Sequence, residues 1–120
     1  MEGDLDLSPF SRDAWSFNAT GGTEVTLDVE KLTEGHPYLL LTCISRTTRR
    51  RDCIGAEIRN NGESTTRLTF GGRFYVVVSG LRLLGQKADA YAYRVRLRGN
   101  PATGPLTLAL DNATDETVTQ

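Results

Sequence analysis

"YAYRVRLR", residues 91–98, decides the fold class. Tyr91, Tyr93, Val95 and Leu97 alternate with Arg94, Arg96 and Arg98, the period of a strand with one dry face and one wet face. A helix would scatter the two sets around its surface. The same alternation recurs on either side. In "EVTLDV" (24–29), Val25, Leu27 and Val29 oppose Glu24, Thr26 and Asp28. "AWSFNA" puts Trp15 and Phe17 on one face, and "RFYVVVS" sends Phe74, Val76 and Val78 inward. "IGAEI" aligns Ile54, Ala56 and Ile58, "LTLAL" aligns Leu106, Leu108 and Leu110, and "RLTF" reads as a short strand. "YLLLTCI" (38–44) is apolar on both faces, which predicts a central, buried strand.

Between these runs stand "TGG", "EGHP", "NNGE", "GG" and "GNPATGP". Glycine and asparagine supply positive φ and proline a fixed φ, so these are turns. About eight short strands with this punctuation predict an all-β fold, a single antiparallel β-sandwich. "VEKLTEG" is predicted to be a loop. The expected organisation is an N-terminal arm over 1–10, the sandwich over 11–110 and a polar tail over 111–120.

A chain of 120 residues, 38% hydrophobic and 24% charged, is one globular domain with a modest core. No run approaches the ~18 apolar residues of a membrane helix, so no membrane insertion is expected. "MEGDLDLSPF" is acidic where a secretion signal is basic and then apolar. The expectation is either that the protein is not exported by that route or that the chain is a mature segment. The net charge of −1 hides an asymmetry: residues 44–98 hold twelve Lys or Arg against four Asp or Glu, and the flanks two against eleven. A positive surface beside a negative one is the result, and it bears on association more than on fold. Arginine outnumbers lysine twelve to two, which suits bidentate pairing with carboxylates, sulfates or phosphates.

The only two cysteines, Cys43 and Cys53, bracket "ISRTTRRRD". If "YLLLTCI" and "IGAEI" form a hairpin, the thiols can staple its mouth. Ile54, Ala56 and Ile58 face the core, so Cys53 faces outward and the staple lies on the outer face. Such a disulfide stabilises by roughly 2–4 kcal/mol and implies an oxidising compartment. Arg49, Arg50 and Arg51 then stand at the tip of a stapled hairpin. Two thiols and one distant histidine fall short of a zinc site.

"RDAWSFNATGGTEVTLDV", "RLTFGGRFYVVVSG" and "YAYRVRL" together resemble bacterial pre-peptidase C-terminal domains, small β-sandwich modules appended to secreted proteases and collagenases. The matching residues are Asp13, Trp15, Phe17, Gly22, Val25, Leu27 and Val29, then Gly72, Phe74, Tyr75, Val76 and Val78, then Tyr93 and Val95. The likeness covers roughly residues 10–98. "CISRTTRRRDC" stands where the family carries a run of Asp and Leu, and the strand at 105–110 follows where the family commonly ends. The resemblance implies a jelly-roll-like sandwich, an extracellular setting and a non-catalytic role in adhesion, targeting or folding. Some relatives place calcium with acidic residues at the N-terminal entry. Asp4 and Asp6 match that only loosely, and no metal site is assigned.

Chemistry for catalysis is sparse. His36, the only histidine, precedes Pro37 in a turn, and no serine or cysteine sits in a context that would activate it. Asp4 with Asp6, or Asp28 with Glu30, can share a strand face, but 120 residues leave little room for a cleft. The two "GG" pairs lack the strand-to-helix setting of a phosphate loop. No enzyme and no cofactor are expected. Binding residues are expected among the arginines: Arg94, Arg96 and Arg98 share one strand face about 6–7 Å apart, and Arg49, Arg50 and Arg51 would join them if the fold brings the sets together. Tyr91 and Tyr93 lie on the face opposite, which argues against a base-stacking platform and so against nucleic acid. The expected partner is a protein, glycan or anionic polymer surface met by an extracellular accessory or adhesion domain. The alternative is a structural subunit of a virion, surface layer or filament, its basic centre docking on the acidic termini of a neighbouring copy.

Overall fold

The computed structural model describes residues 2–5, 11–32, 38–82, 91–100 and 106–110. Their strands are β1 (Glu2–Leu5), β2 (Ser11–Ala19), β3 (Glu24–Lys31), β4 (Tyr38–Ser45), β5 (Cys53–Arg59), β6 (Gly62–Arg67), β7 (Gly72–Arg82), β8 (Tyr91–Asn100) and β9 (Ala109–Leu110). The one helical turn among them is a 3₁₀ turn, Arg50–Asp52. They form two sheets, ordered β1-β8-β3-β6 and β5-β4-β7-β2-β9.

The pairings are nested. β4 pairs with β5, β3 with β6, β2 with β7 and β1 with β8, all antiparallel. That is one long hairpin whose tip is the 46–52 connection. Rolled up, it brings β3 against β8 and β4 against β7. This order is the eight-stranded jelly roll, with β9 added beside β2 over Trp15 and Ser16.

Alternation drives the roll, because each strand must turn its apolar side inward. Trp15, Phe17, Val25, Leu27, Val29, Leu40, Ile44, Phe74, Val76, Val78, Tyr93, Val95 and Leu97 meet in one core. Burying a side chain of this size contributes about 1.5–3 kcal/mol. β4 lies between β5 and β7 and is buried on both faces, from Leu40 to Ser45. One polar chain crosses the core between the sheets. The Trp15 indole N–H donates to the Tyr93 hydroxyl at 2.7 Å, and that hydroxyl donates to Asp13 Oδ2 at 2.5 Å.

Several expectations need correction. Residues 2–5, expected as part of an N-terminal arm, are a strand that pairs with β8 from Glu2↔Arg94 to Leu5↔Tyr91. "RLTF" is not a strand. The strand is β6, "GESTTR", which has no apolar residue to signal it, while Leu68 is buried just beyond its end. Ala56 is exposed rather than inward. β5 bulges there: Thr42 pairs with Ile58 and Ile44 with Ile54, so Cys43 alone faces Gly55, Ala56 and Glu57. Gly55 permits the bulge with φ +79°, which a side chain resists. "LTLAL" is strand only at Ala109–Leu110. The "VEKLTEG" loop from 33 onward, His36, Asp6 and the 111–120 tail lie outside the described residues.

Candidate binding surfaces: the stapled tip and the arginine face

At the tip, Cys43 and Cys53 form a disulfide with their Cα atoms 5.9 Å apart. Cys43 packs with Ala14 and Val77, against Cys53 and Tyr75, in a cluster separate from the main core. The parity of β4 puts Leu40 and Ile44 inside and Cys43 outside, so the staple does lie on the outer face.

Between the cysteines the backbone is tied down by its own short polar side chains. The Ser45 hydroxyl, fully buried, donates to the Arg49 carbonyl (2.9 Å) and accepts from the Thr47 N–H (3.2 Å). The Thr47 hydroxyl donates to Asp52 Oδ2 (2.6 Å) and accepts from the Arg49 N–H (3.0 Å). The Asp52 N–H donates to the Arg49 carbonyl, and the Arg46 N–H to the Asp52 carbonyl. Hydroxyls that close local turns in this way hold a loop in one shape.

The arginines are not uniformly displayed. Arg49 and Arg50 are half-buried, and Arg51 is exposed. Arg50 pairs with Glu57, Nε to Oε2 at 2.8 Å and a second N–H to Oε1 at 3.3 Å. The β5 bulge is what turns Glu57 toward it. Arg51 makes no ion pair among the described residues. Arg46 lies over the ring of Phe70, 4.7 Å from its centroid. Phe70 is itself 41% exposed and packs on Phe74. Four arginines against Asp52 and Glu57 leave the tip with a surplus of two positive charges.

The other three expected residues are on the outer face of the four-stranded sheet. There the basic middle of the chain lies beside its acidic flank, since β8 pairs with β3: Glu30 faces Arg94, Asp28 faces Arg96 and Thr26 faces Arg98. Arg94 pairs with Glu30 at 3.0 Å, and Arg98 reaches Glu63 on β6 at 3.4 Å. Arg67 approaches Glu24 at 3.9 Å, and Thr26 shares a 3.0 Å hydrogen bond with Thr65. The fold therefore does not bring the two sets of arginines together: they belong to different sheets and two surfaces. Of these two surfaces, the tip is the one that keeps an excess of one sign.

Sequence reasoning missed Arg46, Phe70 and Glu57. A glycine inside the strand pattern "IGAEI" was the available sign of the bulge that aims Glu57. Nothing local pairs Arg46 with a ring 24 positions away. Among the described residues no group of three or more His, Cys, Asp or Glu could hold a metal ion. No helix among them is long and apolar enough to cross a membrane. No family model, curated protein or solved structure matches the chain.

Proposed function

We propose that this chain is a non-catalytic binding module of an oxidising, extracellular setting, and that its stapled tip engages an anionic partner surface on a protein, glycan or sulfated polymer. The observation that carries the reading is the pre-ordered tip. A loop already held by a disulfide and six hydrogen bonds loses little entropy on binding, so its contacts count toward affinity. Exposed Arg51 offers a bidentate donor fork. Arg46 on Phe70 adds a cation with an apolar shoulder of the kind that interfaces favour. The β8 face suits an external anion less well, because glutamates already hold Arg94 and Arg98 and the Asp28 carboxylate beside Arg96 would repel an anion there. The likeness to secreted accessory domains points the same way but rests on core patterning, and a fold does not define a function.

Retention on an immobilised sulfated polysaccharide tests the reading. The native chain is expected to bind and to elute as salt rises. Arg46→Glu/Arg51→Glu is expected to pass through, while Arg59→Glu, which changes charge on an exposed β5 position, stays close to native. Equal loss in both, or no retention of the native chain, would refute a tip-centred site.

A further inference from the structure

We propose that two copies of the chain associate face to face through the outer surface of the β1-β8-β3-β6 sheet, with Arg96 of each copy seated against Asp28 of the other. The argument is geometric. On this surface β8 presents a column of positive charge, Arg94, Arg96 and Arg98, and β3 a parallel column of negative charge, Glu24, Asp28 and Glu30. Adjacent columns are about 4.8 Å apart. A second copy related by a two-fold axis lying in the interface, along the strands and between β8 and β3, sets its β8 over the first copy's β3 and its β3 over the first copy's β8. Position along the strands is unchanged by that operation, so each cross-strand row meets itself reversed: the Arg94–Glu30 row on the Glu30–Arg94 row, and the Arg96–Asp28 row on the Asp28–Arg96 row.

The middle row singles itself out. Asp28 and Arg96 are register partners, yet they form no ion pair with each other or with any described residue, whereas the flanking Arg94 and Arg98 are each held by a glutamate. They line one open groove with Glu30, Arg94, Asn61 and Gly62. A free carboxylate beside a free guanidinium wants a surface bearing the opposite pair in reversed order. This chain supplies that surface itself, which is the condition for an isologous contact. The same argument selects a second copy over a polyanion, which would satisfy Arg96 and oppose Asp28.

The size of the contact sets its strength. A face of three strands by eight residues spans roughly 14 × 26 Å, on the order of 400 Å² per copy, half of the ~800 Å² per partner of a stable interface. The dimer is therefore weak, in rapid exchange and sensitive to ionic strength. It uses the sheet that the tip does not, so it stands or falls independently of anion binding.

Sedimentation equilibrium decides it. At low salt and high protein concentration the average mass is expected to rise above 13.2 kDa toward twice that value, and to return to it as salt is added. Asp28→Arg and Arg96→Glu, each folded by circular dichroism, are expected to stay monomeric alone, because every copy then meets its own sign. Mixed one to one they are expected to associate at least as well as the native chain, since positions 28 and 96 oppose each other with opposite charge in both places. A native chain that is monomeric at low salt, single variants that associate like it, or a mixture that does not recover would each overturn the proposal.

Discussion

We predict that Tyr93→Phe, which removes one oxygen atom, is among the most destabilising single-atom changes available. Tyr93 is fully buried, and its hydroxyl accepts from the Trp15 indole on the other sheet while donating to Asp13. Phenylalanine keeps the ring packing and deletes both bonds. The indole N–H is left without its hydroxyl partner, a cost of about 1–3 kcal/mol, and the Asp13 carboxylate loses a charge-assisted bond of about 1.5–3 kcal/mol. Part of Asp13 is exposed, so water offsets some of the second term, and about 3 kcal/mol is the expected total. An unfolding entropy of ~2.1 cal/mol/K per residue gives roughly 250 cal/mol/K for this chain, so the melting temperature should fall by about 12 °C. Urea titration should give a lower midpoint at an unchanged m-value. Trp15→Phe combined with Tyr93→Phe should cost less than the sum of the single changes, because the first removes the donor that the second strands. A drop below about 2 °C, or strict additivity, would show that the hydroxyl does not tie the sheets together.

Thr42→Val should stabilise by roughly 1 kcal/mol in the same titration. The Thr42 hydroxyl is buried on the core face of β4 without a hydrogen-bond partner, and valine replaces it with a methyl group of like shape. Gly55→Ala should destabilise by about 1–3 kcal/mol, since φ is +79° there and a Cβ would run into the Thr66 side chain. Glu57→Gln should cost less than about 1 kcal/mol by thermal melting, because its pair with Arg50 is open to solvent.

The sandwich was legible wherever apolar and polar residues alternate, because parity alone says which side of a strand faces inward. The outer-face staple could be placed before any coordinates because Cys53 alternates with Ile54, which does pack on the core, although Ala56, read as inward by the same alternation, is turned out by the bulge. β6 was illegible because an edge strand of "GESTTR" buries only Gly62, Ser64 and Thr66 in part and leaves Glu63, Thr65 and Arg67 outside. The neutrality of the arginine face was illegible for another reason. It depends on β3 and β8 becoming neighbours, with Glu30 beside a residue 64 positions away. No local pattern carries that register. The sequence did show the asymmetry of charge between the centre and the flanks. What it could not show is that rolling the hairpin lays one beside the other on the β3–β8 face, setting arginines against carboxylates there while the tip keeps a basic surplus.

That roll also predicts where folding starts. In a nested hairpin each outer pair closes over the one inside it, and the entropic cost of closure grows with the length of chain that is still loose. β4 and β5 are joined by the 46–52 connection alone, whereas β1 and β8 are brought together across almost the whole chain. The disulfide spans a sequence separation of 10 at the innermost point, which corresponds to about 3 kcal/mol of closure entropy removed from the unfolded state. If the tip is ordered in the transition state, that energy belongs to the folding rate. Cys43→Ala/Cys53→Ala should then fold more than ~100-fold slower than the oxidised chain and unfold at nearly the same rate. Stopped-flow folding and unfolding of the two forms against urea separates the alternatives, and a shift confined to the unfolding arm would mean that the tip closes last. The physical tension at this site makes early closure informative. Four arginines in six positions repel one another while the strands are still apart, and Asp52 and Glu57 offset them only once the bulge and the 3₁₀ turn exist. A covalent link that holds the cysteines together before those contacts form lets the chain keep a basic tip that its own electrostatics would otherwise open.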